Sequence, residues 1–138
     1  MEKIEKWKSV DQEIVFEKYG RKIKKIIYQL PNGETSDYYL VEQGKAVAVL
    51  ALTEENKVLL VKQYRPGPDD ILLELPGGIV NPGETPVEAA ARELMEETGY
   101  EGEAEFVTDG YDDAYSSMVR SCVVMINCKK IGTQALDA

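Results

Sequence analysis

Short alternating or wholly apolar runs, separated by polar breaks and glycines, fill most of this chain. QEIVFEKYG and KIKKIIYQL read as strands, the second ending at the turn Pro31-Asn32-Gly33. SDYYLVEQG leads into the apolar KAVAVLALT, and the polar break TEENK, with Asn56 in it, separates that run from VLLVKQYR. The spacing predicts a hairpin of AVAVLAL with VLLVKQY. ILLELPGG adds another apolar piece, and EAEFVTDGY and VRSCVVMINCKK read as two further strands. One stretch has helical periodicity instead, from Pro86 to about Thr98. A strand-dominated chain with one strong helix between strands predicts an α+β fold built as a layered mixed sheet.

The predicted helix has legible ends. Thr85 suits the N-cap, Pro86 the first helical position, and Glu88 completes a Thr-x-x-Glu capping box. Gly99 stands where a left-handed C-terminal residue is expected. Val87, Ala90, Ala91, Leu94 and Thr98 form the expected buried stripe, with Glu93 and Glu97 one turn apart on the opposite face and Glu96 beside them. Three carboxylates in the last turns oppose the helix macrodipole, and like charges four residues apart cost a further ~0.2 to 0.5 kcal/mol. Two readings account for them. One is a solvated acidic face steadied by Arg92 through Glu88 or Glu96. The other is a half-cage for a divalent cation, since magnesium takes hard oxygen ligands and leaves positions open to water and phosphate. The loop Gly77-Gly78-Ile79-Val80-Asn81-Pro82-Gly83 supplies backbone able to approach a metal or phosphate closely.

Composition trims the possibilities. At 138 residues the chain fits one domain with a real core, and 43% hydrophobic with 30% charged residues is ordinary globular usage. The net charge of −9 argues against nucleic acid as a partner, while an anionic small molecule remains open if a cation bridges the two. With no histidine, a Ser-His-Asp triad and a His-ligated zinc are both out. No apolar run is long enough to span a membrane, and the N-terminal segment does not read as a secretory signal, so a cytoplasmic protein is expected. Cys122 and Cys128, an even number of residues apart, are expected on one strand face as buried, unbridged thiols.

GGIVNPGETPVEAAARELMEETGY resembles the Nudix box, G-x5-E-x7-R-E-U-x-E-E-x-G-U with U bulky and apolar. The match runs through Gly78, Glu84, Arg92, Glu93, Leu94, Glu96, Glu97, Gly99 and Tyr100. The resemblance implies a Nudix-type mixed β-sheet/α sandwich that hydrolyses a nucleoside diphosphate derivative at its pyrophosphate, with Mg2+ or Mn2+. It implies Glu93 and Glu97 as metal ligands, Glu96 as ligand or helper, and the Gly77 carbonyl as a backbone ligand. Arg92 and Glu84 would pair to hold the loop against the helix.

The segment VLLVKQYRPGPDDILLELPGG is similar to that preceding the box in ADP-ribose and nucleotide-sugar pyrophosphatases, which implies substrate-binding roles for Arg65 and Glu74 beside Gly78. The same resemblance implies a division into residues 1–43, an N-terminal antiparallel β extension used for a homodimer, and residues 44–138, the catalytic domain. Tyr28, Tyr38 and Tyr39 are candidates for a base-stacking surface in the first part. Two departures stand out. Where ADP-ribose hydrolases carry a proline about 16 residues beyond the box, GYDDAYSSMVR has Ser116 and no proline. Related chains also continue past the point corresponding to KKIGTQALDA, through a loop that in several supplies another catalytic glutamate, so this catalytic domain reads as shortened. Asp112, Asp113 or Glu96 then stand as proton acceptors. The alternatives are a Nudix-like sensor that binds a nucleotide without cutting it, and a nucleoside triphosphate pyrophosphohydrolase.

Overall fold

A computed structural model describes residues 4–135 of the chain. Its elements follow in the order β1 (Lys8–Lys18), β2 (Arg21–Gln29), β3 (Thr35–Glu42), β4 (Lys45–Thr53), β5 (Val61–Arg65), β6 (Asp70–Glu74), α1 (Pro86–Thr98), β7 (Tyr100–Tyr111) and β8 (Val119–Lys130). The architecture is α+β, as the patterning implies.

Two compact units share these elements. The first contains the chain up to Gln43 and also Tyr111–Met118, a segment the sequence-based division at residue 43 leaves with the other part. In it β1, β2 and β3 form an antiparallel sheet in that order. Lys18 pairs with Arg21 across a two-residue turn in which Tyr19 and Gly20 both have positive φ, the mirror-image turn that suits strand twist. β1 is an edge strand with Val10, Ile14, Val15 and Phe16 all exposed. The returning segment is fastened to β3 by backbone hydrogen bonds from Val41 N–H to the Tyr115 carbonyl and from Ser117 N–H to the Val41 carbonyl.

The second unit, Gly44–Gly110 with the chain from Val119 onward, holds the main core. β4 pairs in parallel with β8, and β7 lies on the other side of β8. Val47, Val49 and Ala51 of β4 meet Ala89, Ala90 and Leu94 of α1 and Val123, Met125 and Cys128 of β8, all at most 2% exposed. Among the described residues no helix is long and apolar enough to cross a membrane.

The expected hairpin of AVAVLAL with VLLVKQY forms only at its turn. Thr53 N–H reaches the Lys57 carbonyl, Leu52 bridges Val58, and Leu59 N–H reaches the Ala51 carbonyl. Beyond that point the edge of β4 is taken by the glycine loop: Val49 N–H donates to the Pro76 carbonyl, Val47 N–H to the Gly78 carbonyl, and Val80 N–H to the Lys45 carbonyl. β5 pairs instead with β6 as a separate antiparallel ribbon.

Two burial readings also change. In β8 the buried series Ser121, Val123, Met125 continues at Cys128 rather than at residue 127, because the pairing register shifts there and Asn127 takes a φ of 54°. Cys122 falls between members of the buried series, so the two free thiols do not share a face. In α1 the fully buried positions are Ala89, Ala90 and Leu94, while Ala91 is exposed. That rotates the packed side toward Glu93 and Glu97, which are half-buried on its flank rather than opposite it.

Candidate active site

The helix that carries the glutamates is built as its sequence implies. Thr85 accepts a hydrogen bond from Glu88 N–H while the Glu88 carboxylate accepts from Thr85 N–H, closing the capping box, and Gly99 takes φ 76° at the C-terminus. The last turn carries no basic residue, so on the helix itself only Arg92, at its middle, answers the crowded carboxylates.

The loop before the helix answers them in part. Because Pro76–Val80 lies along β4, Gly77 and Gly78 are pressed between that strand and α1. A Cβ on Gly77 would fall onto the Val47 carbonyl oxygen, and one on Gly78 onto the Glu93 carboxylate. Arg92 ties the loop to the helix: its Nε and Nη2 donate to Glu84 at 2.9 and 3.0 Å, and Nη2 also reaches the Ile79 carbonyl at 2.9 Å. Nη1 donates to Glu93 at 2.8 Å and Glu96 at 3.2 Å. Arg92 thus serves Glu84 and Glu96; Glu88 is engaged in the cap instead. Hydrogen bonds from Arg92 hold the Glu84 carboxyl below the usual carboxylate range, and those to Glu84 and Glu93 raise the guanidinium well above its ordinary value.

Glu97 is held differently. Its Oε2 accepts from the Gly77 N–H at 3.0 Å and its Oε1 from the Gln63 side-chain amide at 2.8 Å. Burial pushes its carboxyl up, against the lowering effect of those two hydrogen bonds. Glu93, Glu96 and Glu97 line one cavity of about 410 Å³ together with Lys62, Gln63 and Tyr64. A second cavity of about 530 Å³ shares Gln63 and Glu97 and adds Arg65, Glu74, Gly77 and Arg120. Arg65 donates through Nε to both carboxylate oxygens of Glu74, at 2.9 and 3.0 Å, and this pairing lowers the Glu74 pKa and raises that of Arg65.

Among the described residues no three acidic side chains converge into a ready metal cage. The donor set nevertheless fits a hard divalent cation: three carboxylates share one cavity wall, two of them half-buried, and the glycine that lets Glu93 lie against the loop is in place.

The structure therefore brings together Gly77, Gly78, Glu84, Arg92, Glu93, Glu96 and Glu97, and sets Arg65 and Glu74 along the neighbouring cavity. Gln63 lies within VLLVKQYRPGPDDILLELPGG without a mark of its own there, and Arg120 has no sequence signal beyond its place on a strand. In the first unit Asp113 accepts from the Tyr115 N–H at 2.5 Å. There too Trp7, Tyr28 and Tyr38 pack ring against ring, with centroids 5.3 to 6.0 Å apart, and line a pocket of about 360 Å³ with Leu40, Ala114 and Tyr115. Tyr39 is exposed and outside that cluster, since neighbouring strand positions face opposite ways.

Residues 42–137 match the model of the NUDIX domain. The chain belongs to the Nudix family. The chain is 43% identical over 105 residues to the methanol dehydrogenase activator of Bacillus methanolicus, covering 75% of this chain and 56% of that protein. It is 47% identical over 72 residues to an ADP-ribose pyrophosphatase of Bacillus subtilis (strain 168), covering 52% and 39%. It is 39% identical over 103 residues to an ADP-sugar pyrophosphatase of Mus musculus, covering 67% and 47%. The chain spans about half the length of these relatives. In architecture it is similar to a crystal structure of an ADP compounds hydrolase, with a TM-score of 0.85 over 99% of this chain and 76% of that one. At 21% identity this likeness shows the Nudix fold alone.

Proposed function

We propose that this Nudix chain hydrolyses the pyrophosphate linkage of a nucleoside diphosphate derivative, ADP-ribose or a nucleotide sugar, with Mg2+ or Mn2+ held by Glu93, Glu97 and the Gly77 carbonyl and with Glu96 as a further ligand or helper. The observation that carries this reading is the cavity wall shared by the three glutamates, each already fastened by hydrogen bonds, on a helix whose last turn has no basic residue. When bound, the cation neutralises the pyrophosphate and sharpens a water nucleophile. The chain's own residues do the rest. Arg92 and Glu84 keep the loop on the helix, and Gly78 leaves room for the Glu93 carboxylate. Arg65, steadied by Glu74, and Arg120 line the adjoining cavity, where their guanidinium donors would receive a second phosphate. The water oxygen bonds to one phosphorus, the bridging P–O bond breaks, and the released proton passes to a carboxylate, for which the half-exposed Glu96 is our assignment.

Trp7, Tyr28 and Tyr38, packed edge-to-face or tilted around a pocket of the first unit, would offer an aromatic surface to a nucleobase. The exposed apolar side chains along β1 support a homodimer formed through the first unit's sheet. Two free thiols suit the reducing cytoplasm.

The test is phosphatase-coupled turnover of ADP-ribose, UDP-glucose, NADH and 8-oxo-dGTP with Mg2+ and with chelator. Cleavage of ADP-ribose or a nucleotide sugar, abolished by chelator, is the expected result. Glu97→Gln should lower it at least ~100-fold, beyond the loss that removing an outer-shell partner produces. Nucleotide binding without turnover by the wild-type protein would assign it as a sensor, and preferential cleavage of 8-oxo-dGTP would assign it to triphosphates.

A further inference from the structure

We infer that Gln63, a residue of β5 outside the Nudix box, is a positioning residue that fixes the Glu97 carboxylate for its cation without neutralising it. The inference rests on the reading of the box glutamates as a cation site.

The geometry is specific. Gln63 lies 34 residues before Glu97 and reaches it from a different element, donating Nε2–H to Oε1 at 2.8 Å. The Gly77 N–H takes the other oxygen at 3.0 Å. An ionised carboxylate has about four acceptor sites, so one donor on each oxygen fixes the plane of the group and leaves each oxygen able to accept again. Both donors are neutral. The contrast with the surrounding carboxylates is chemical: Glu93, Glu96 and Glu84 are held by the Arg92 guanidinium, and Glu74 by that of Arg65. Glu93 and Glu96 already share the Arg92 guanidinium, so a second guanidinium on Glu97 would leave no carboxylate of the set with undivided charge for a metal. A neutral amide orients it and leaves the charge intact, which is what an outer-shell partner of a metal ligand does.

The strand explains how an amide comes to be there. β5 alternates, with Val61 buried at 4% exposure and Gln63 and Arg65 following on the same face. That face fronts the carboxylates. At this position leucine would leave Glu97 half-buried with one donor fewer, and glutamate would set two acceptors against each other. Gln63 also lines both cavities, the one holding Glu93, Glu96 and Glu97 and the one holding Arg65 and Arg120. It therefore stands at the boundary between the proposed cation and the proposed phosphate pocket.

The experiment measures Mn2+ affinity by the loss of the free-ion EPR signal, in wild type, Gln63→Met and Glu97→Gln, with thermal melts alongside. Methionine keeps length and volume and removes the donor. The expected result is Mn2+ binding weakened about 10-fold in Q63M, the scale of an outer-shell loss, with a melting temperature close to wild type. A residue that mattered only for packing would lower the melt and leave Mn2+ affinity unchanged, and that outcome overturns the inference. Weakened binding in E97Q with wild-type binding in Q63M removes Gln63 alone. No Mn2+ site in the wild type, or an E97Q protein that binds as wild type does, removes the cation reading and the inference with it. If Q63M does not fold, the wild-type protein decides: the assigned NMR signals of the Gln63 side-chain amide should move on titration with Mg2+, and unmoved signals overturn the proposal.

Discussion

Adjacent glycines in the loop do different work, and substituting each separates stability from site. Alanine at Gly77 drives a methyl into the backbone carbonyl of Val47, which cannot yield without lifting the loop from β4. Alanine at Gly78 meets first the Glu93 carboxylate, the far end of a flexible side chain. G77A is therefore expected to lose about 2 kcal/mol or more, the upper part of the usual single-substitution range, whereas G78A should melt near wild type and lose Mn2+ affinity at least ~10-fold. Calorimetry with EPR titration checks both. Charge gives a second prediction. The Glu84 carboxyl is lowered, so its contribution is present above the ordinary carboxylate pKa and is lost as pH falls through its folded value; Glu97 is raised, so its contribution is present in acid and lost as pH rises through its folded value. Relative to wild type, E84Q should be destabilised at pH 7 with the gap closing in acid, and E97Q should gain relative stability from pH 4 to pH 7. Melts at both pH values decide it. Thr85, Glu88, Gly99 and the box residues are readable along the chain because caps and motifs have fixed spacing. Gln63 was not, because an amide in a strand has no pattern until another element supplies its acceptor.

At the scale of elements, α1 is legible to the residue, from Pro86 to Thr98, since each end is marked by its own chemistry. Thr85→Ala removes the side-chain half of the cap and is expected to cost about 1 kcal/mol, roughly 3 °C in a chain of this size. The face it packs was harder to read. Assigning charged positions to solvent placed Glu93 and Glu97 opposite the core, whereas the helix packs through Ala89, Ala90 and Leu94 and brings both glutamates in beside the loop. Strand identity was read well and strand pairing less so. Proximity in sequence favours β4 with β5, but the Pro76–Val80 loop takes that edge of β4 and β8 takes the other. No local pattern announces a competitor for an edge. The bulge at Asn127 is similar: it moves Cys128 onto the buried face, a shift that period-two counting does not foresee.

On the scale of the whole molecule, the α+β class and Nudix membership are legible because the box is dense in specified positions, while the return of Tyr111–Met118 to the first unit is a long-range contact with no sequence mark. The pairing of β4 with β8 has a consequence for how the molecule comes to exist. Lys45 is matched with Val119, and the ribbon, the glycine loop and the helix all lie inside the loop this pairing closes. Closing so long a loop is entropically costly before any contact rewards it, which places folding of this unit toward the slow end for its size. On the ribosome the entire motif emerges before the strand that completes its floor. A chain ending at Met118 should therefore carry every box residue, stay bound to chaperones or aggregate, and bind no Mn2+. Adding back a peptide of Val119–Lys130, rich in apolar and β-branched residues, would be expected to restore some binding only if it enters beside β4.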